Sequence, residues 1–136
     1  MTVELELLDD MVFTQLSKYV MENLTEPILT NENFSTVEND LTGRVILPFV
    51  YLSNIVGTET GTDLECDRIN GGLFTYQIKV TTNNSQEQTK DIMNVVSKAM
   101  KSMGFRGTSL PVYANHDNLY IMIARWQRTF CEGDEI

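Results

Sequence analysis

A chain of 136 residues, 42% hydrophobic and 21% charged, has the composition of one globular domain, long enough to bury about two-thirds of its unfolded surface. Nineteen acidic residues against ten basic give a net charge of -9; that field repels phosphate backbones, and no cluster of Lys and Arg supplies a basic patch against it. Two cysteines, Cys66 and Cys131, and one histidine, His116, are too few for the usual zinc spacings.

The start, "MTVELELLDDM", lacks the basic flank and apolar run of a signal peptide, and no segment approaches the roughly 18 apolar residues of a membrane span. The expectation is a single soluble domain, residues 1–136, made and kept in a cytoplasm. Residues 3–24 place Leu5, Leu8, Val12, Leu16, Tyr19 and Leu24 at steps of three to five, with Glu4, Asp10, Lys18 and Glu22 free to face water. That spacing predicts an amphipathic helix, closed by Pro27. Residues 28–43 are polar and Asn-rich, a connecting loop. "RVILPFVYLSNIV" predicts a strand at about 46–53, entered at or bent around Pro48, near a sheet edge because proline cannot donate to a ladder.

Residues 57–72, "GTETGTDLECDRINGG", read as a long solvated arm, the main part of a loop at about 54–72. Asp63, Glu65 and Asp67 alternate as in a calcium loop, but Arg68 stands where that loop requires glycine and no glutamate falls at its twelfth position. In "LFTYQIKVTT" Phe74, Tyr76, Ile78 and Val80 share one face and Thr75, Gln77 and Lys79 the other, a strand with one apolar side. Ser85 followed by Gln88 is a capping-box pattern. It opens a helix whose stripe is Ile92, Val95, Val96, Ala99, Met100 and Met103, and Gly104 is suited to end it. Strands follow at about 105–113 and 118–130. The last is apolar on both sides, with Ile121 and Ile123 opposite Met122, Ala124 and Trp126, and so needs cover on both. Arg125 and Arg128 alternate faces, one near the core edge and one near a partner surface, and suit structural ion pairs. The expected fold is α+β: a small, mainly antiparallel sheet with two helices packed on one face, in the order helix, strand, arm, strand, helix, strand, strand.

Catalysis needs a nucleophile with a base, a metal, or paired carboxylates in a pocket. His116 beside Asp117 lies in a turn, where neighbours point apart, and no glycine pattern cradles a phosphate. No enzyme, cofactor or metal is expected.

The series "LPFVYLSNIVG", "GGLFTYQIKVTTNNSQEQTKDIMNVVSKAMKSMGFRGT", "LPVYANHDNLYIMIARWQRTF" and the closing "GDEI" resembles, over about residues 45–136, the tail terminator proteins of long-tailed bacteriophages of Gram-positive bacteria. The resemblance lies in the order of elements: a strand with a Phe-Pro-like pair, a "QI.V" strand, a helix running through "GF" into a strand, and a final Arg-bearing strand. It implies an α+β subunit whose copies close into a ring, commonly a hexamer, at the neck of the virion after assembly in the host cytoplasm. Such a ring caps the tail tube protein, stops its polymerisation and offers a docking face to the head–tail connector protein, while DNA passes through the lumen unbound. A lumen lined with carboxylates would let DNA slide without adhering. Candidate subunit or tube contacts are then Glu59, Asp63, Glu65, Asp67 and Arg68 on the arm, with Arg125, Trp126 and Arg128 on the last strand. The chain departs from the family pattern in the inverted order Pro48-Phe49 and in the long arm, and no functional residue is carried over from the family. A head completion or connector adaptor protein shares size and class. From a different class, a small cytoplasmic ligand-binding α+β module would show a concave apolar pocket.

Overall fold

The computed structural model describes residues 2–24, 29–36, 47–62, 69–116, 118–131 and 133–136. Two helices, α1 (Leu8–Asn23) and α2 (Gln86–Ser102), accompany five strands: β1 (Phe34–Ser35), β2 (Phe49–Thr62), β3 (Ile69–Thr82), β4 (Arg106–Tyr113) and β5 (Tyr120–Cys131). The strands form one sheet in the order β1-β2-β3-β5-β4, antiparallel except for the short parallel β1–β2 pairing, so the fold is α+β.

Strand β1 falls within residues 28–43, whose polar, Asn-rich composition predicts a loop; 28 and 37–43 lie outside the described residues. The cause of the strand is a buried amide. Asn33, 5% exposed, donates from Nδ2 to the Pro48 carbonyl at 2.6 Å, and its Oδ1 accepts from the Thr30 N–H and hydroxyl at 2.8 and 3.1 Å. The segment is thereby held beside β2, with Phe34 paired to Val50 and its side chain in the core. Fully satisfied polar groups can be buried without penalty, which is why an Asn-rich stretch contributes to a core.

The arm is also corrected. Residues 54–62 and 69–72 are not loop: the β2–β3 ladder runs from Phe49 opposite Thr81 out to Thr62 opposite Ile69, with a bulge at Ile55. Residues 63–68 lie outside the described residues. Backbone hydrogen bonding sustains the ladder without an alternating apolar pattern.

The core sits against one set of sheet positions. Tyr76, Ile78 and Val80 of β3 are at most 1% exposed, and their ladder partners Trp126, Ala124 and Met122 of β5 are buried beside them. Leu8, Val12, Leu16 and Val20 of α1, a period-four stripe, and Ile92, Val96, Ala99 and Met100 of α2 belong to the same cluster. Each Leu, Ile, Val or Met among them contributes about 1.5–3 kcal/mol by leaving water. The expected stripe of α1 is right in register, although Leu5, Tyr19 and Leu24 at its margins are only partly buried. The methionine-bearing stripe of α2 is core.

Both ends of α2 are set locally. The Ser85 hydroxyl accepts from the Gln88 N–H at 3.1 Å, the first half of the capping box. The Gln88 side chain does not complete it; it accepts from the Thr82 hydroxyl instead and so ties the helix start to the end of β3. At the other end Gly104 has φ +82, and two bonds of 3.0 Å, Gly104 N–H to Lys101 O and Phe105 N–H to Met100 O, form a Schellman closure. Phe105 then packs edge-on to Tyr76 at 5.7 Å and to Phe130 at 5.4 Å. The chain ends are stitched together as well: the Val3 N–H donates to Asp134 O at 2.7 Å and Gly133 N–H to Val3 O at 3.0 Å.

Candidate interaction surfaces

The first surface lies where the start of α1 meets β2 at its bulge. Asn54 and Tyr76 are ladder partners, so both side chains emerge on the same side of the sheet beneath the first turn of α1. Asp9 Oδ1 accepts from the Tyr76 hydroxyl at 2.5 Å and from Asn54 Nδ2 at 3.2 Å. Burial of the phenol, followed by the Asp9 carboxylate beside it, raises the Tyr76 pKa far above its ordinary value, so the hydroxyl is a fixed donor rather than a base. A half-open cleft of about 420 Å³ adjoins this triplet, lined by Asp9, Asp10, Thr36, Tyr51, Asn54 and Tyr76 among others. Carboxylates, hydroxyls and an amide dominate that wall. It suits a cationic or hydrogen-bonding partner and differs from the concave apolar pocket of a small-molecule binder.

The second surface is the β4 edge of the sheet. All eight residues of β4 are exposed, Leu110 at 85%, Val112 at 58% and Tyr113 at 43%. Among the described residues the strand pairs with β5 alone, and its register slips twice, between Gly107 and Ser109 and between Ser109 and Val112. At the first slip the Thr108 hydroxyl reaches back to the Arg125 carbonyl at 3.4 Å. Bulges and Pro111 break the row of backbone groups that another strand would need, a common protection of sheet edges. The apolar side chains nevertheless stay in water.

The residues singled out in the sequence are dispersed. Arg125 is exposed on the side of the sheet away from Trp126 and donates from Nε to Gln77 Oε1 at 3.0 Å. Arg128 lies on the other side: it donates to the carbonyls of Met103 and, at 3.2 Å, Glu135, and its guanidinium stands 4.2 Å from the Phe130 ring centre. The two arginines therefore do alternate faces, and their hydrogen-bond partners among the described residues are uncharged. Trp126 is 3% exposed, a core residue. Glu59 is placed by its backbone opposite Gly72 in the arm. Asp63, Glu65, Asp67, Arg68 and Cys66 lie outside the described residues, and with them the calcium-loop pattern; Cys131 is an exposed free thiol. His116 is exposed in a tight turn, paired through its backbone with Leu119.

No protein-family model and no curated protein matches the chain. Among the described residues no group of three or more His, Cys, Asp or Glu could hold a metal ion, and no helix is long and apolar enough to cross a membrane. Sequence reading missed both surfaces. For β4 a signal was present, because Leu110-Pro111-Val112-Tyr113 puts a proline inside an apolar strand, as edge strands do. For Asp9 there was none: an acid in a helix's first turn is ordinary, and its partners are 45 and 67 residues away.

Proposed function

We propose that the chain is a structural neck protein of a long-tailed bacteriophage, a tail terminator whose copies close into a ring, six on the family's pattern. The ring would cap the tail tube, stop its growth and present a face to the head connector. In this reading both helices pack on one side of the sheet, and the sheet edges and the β2–β3 arm are left for contacts with neighbours and tube. The observation that carries it is β4: a strand with every residue exposed, bearing Leu110, Val112 and Tyr113 in water, is what a subunit awaiting a neighbour presents. A net charge of -9 supports a passage along which DNA slides without adhering. The polar wall of the Asp9 cleft differs from the concave apolar pocket that the ligand-binding alternative would show.

The test is electron microscopy of lysates from the source phage or prophage with a nonsense mutation in this gene. Free heads beside unjoined tails of overlong or irregular length are the expected result. Unjoined tails of uniform, normal length would move the protein to the connector, and intact virions would overturn the assembly reading.

A further inference from the structure

We propose that the β4 edge of the sheet and the Asp9–Ile55 surface, where α1 starts beside β2, are the two halves of one contact, the β4 edge of one copy docking head-to-tail on the Asp9–Ile55 surface of the next. This rests on the ring reading above and names the surfaces that would meet. Among the described residues the large hydrophobic side chains left in water are Leu7 (49%), Ile55 (39%), Leu110, Val112 and Tyr113. They divide into two groups, one on the edge strand β4 and one on β2 and the turn before α1. Leu110, Val112 and Tyr113 are on β4; Ile55 is the bulged residue of β2 next to Asn54, and Leu7 precedes Asp9, to which Asn54 is bonded.

The charges of the two groups are opposite. The segment before α1 and its first turn expose Glu4, Glu6, Asp9 and Asp10, with no basic residue before Lys18. Strand β4 begins with exposed Arg106, carries no acid, and lies beside exposed Arg125, the ladder partner of Ser109. Two copies at a net charge of -9 repel one another, so an association must put its few exposed cations on anions. Edge-on-edge or cleft-on-cleft pairing would set Arg106 against Arg106 or Asp10 against Asp10. Edge-on-cleft pairing matches both charge and apolar surface, and it is heterologous: each copy keeps one unfilled half until rotation closes a ring. The slipped register and Pro111 mean that side chains make the contact, not an added strand. The cleft is held in shape beforehand, since Asp9 is fixed by Tyr76 and Asn54.

The experiment is sedimentation velocity on the full chain and on two exposed-site variants, Leu110→Glu and Asp10→Arg, with thermal melts to establish that both fold as the parent does. The parent associates reversibly with rising concentration, less so when salt is raised from about 0.05 to 0.5 M. Each variant alone stays monomeric, even though Asp10→Arg lowers the overall repulsion. Mixed together they form a one-to-one dimer that grows no further, because one copy contributes the intact edge and the other the intact cleft. A parent monomeric up to about 1 mM, the weak end of specific association, overturns the proposal. So does a single variant that assembles like the parent; in that outcome the ring reading survives and only these surfaces fall, whereas intact virions in the nonsense lysate overturn the ring reading whatever the sedimentation shows.

Discussion

Tyr76 joins the core to the surface. Its ring is buried against Phe105, and its hydroxyl reaches Asp9 at the rim of the cleft. Replacing it by Phe removes a hydrogen bond to a carboxylate, at a cost of about 1–2 kcal/mol at neutral pH, read from urea denaturation. The variant also has a distinct alkaline behaviour. The unfolded phenol ionises near its ordinary value of 10.0 while the folded one, raised by burial and by Asp9, keeps its proton. The folded state thus binds one more proton above that pH. Its contribution is present in full below pH 10 and is lost as the pH rises toward the folded value, by about 1.4 kcal/mol per unit. Stability of the parent, measured from pH 9 to 11, should therefore fall more steeply than that of Tyr76→Phe; parallel curves would contradict a buried, protonated phenol. The sequence showed Tyr76 as an inward residue of a strand but gave no hint of Asp9, because pairing across 67 residues leaves no local trace.

At the scale of elements, the junction from α2 to β4 turns on Gly104. The positive φ is disfavoured for any other L-residue by about 1–2 kcal/mol, and a Cβ there would stand 3.0 Å from Arg128 Nη1. Gly104→Ala should destabilise by at least that amount, measured by thermal melting, and weaken the bond from Arg128 to the Met103 carbonyl. This junction was legible from "KSMGFRG" alone, since helix stripe, closing glycine and following strand are all local features. The arm was legible only in part. Its glycines and carboxylates read as loop, and its strand character comes from pairing β2 with β3 across the tip, which local composition does not encode.

For the molecule as a whole, the first and last segments close on one another. Val3 is 1% exposed, exchanges backbone bonds with Gly133 and Asp134, and belongs to the same core as the helices and sheet. Val3→Ala removes two buried carbons, about 2 kcal/mol with the cavity it leaves, from a stability that for such domains is only about 5–15 kcal/mol. A drop of several degrees in melting temperature is the expected result; no change would mean that this tie contributes little to the folded state. The proposed ring draws on the same economy of scale. Among the described residues no further element covers the β4 edge of the five-stranded sheet, and in the proposed ring a neighbouring copy would cover it.

The α+β class, the two helices with their inward stripes, the cap at Ser85, the turn at Gly104 and the inward side of β3 follow from the sequence by itself, because each rests on periodicity or on chemistry within a few residues. Only the tertiary structure placed β4 at an edge with its apolar side chains in water, made the arm a ladder, buried Asn33 and brought Asp9 to Tyr76. Those features depend on which distant segments become neighbours, a choice made by the packing of the whole chain.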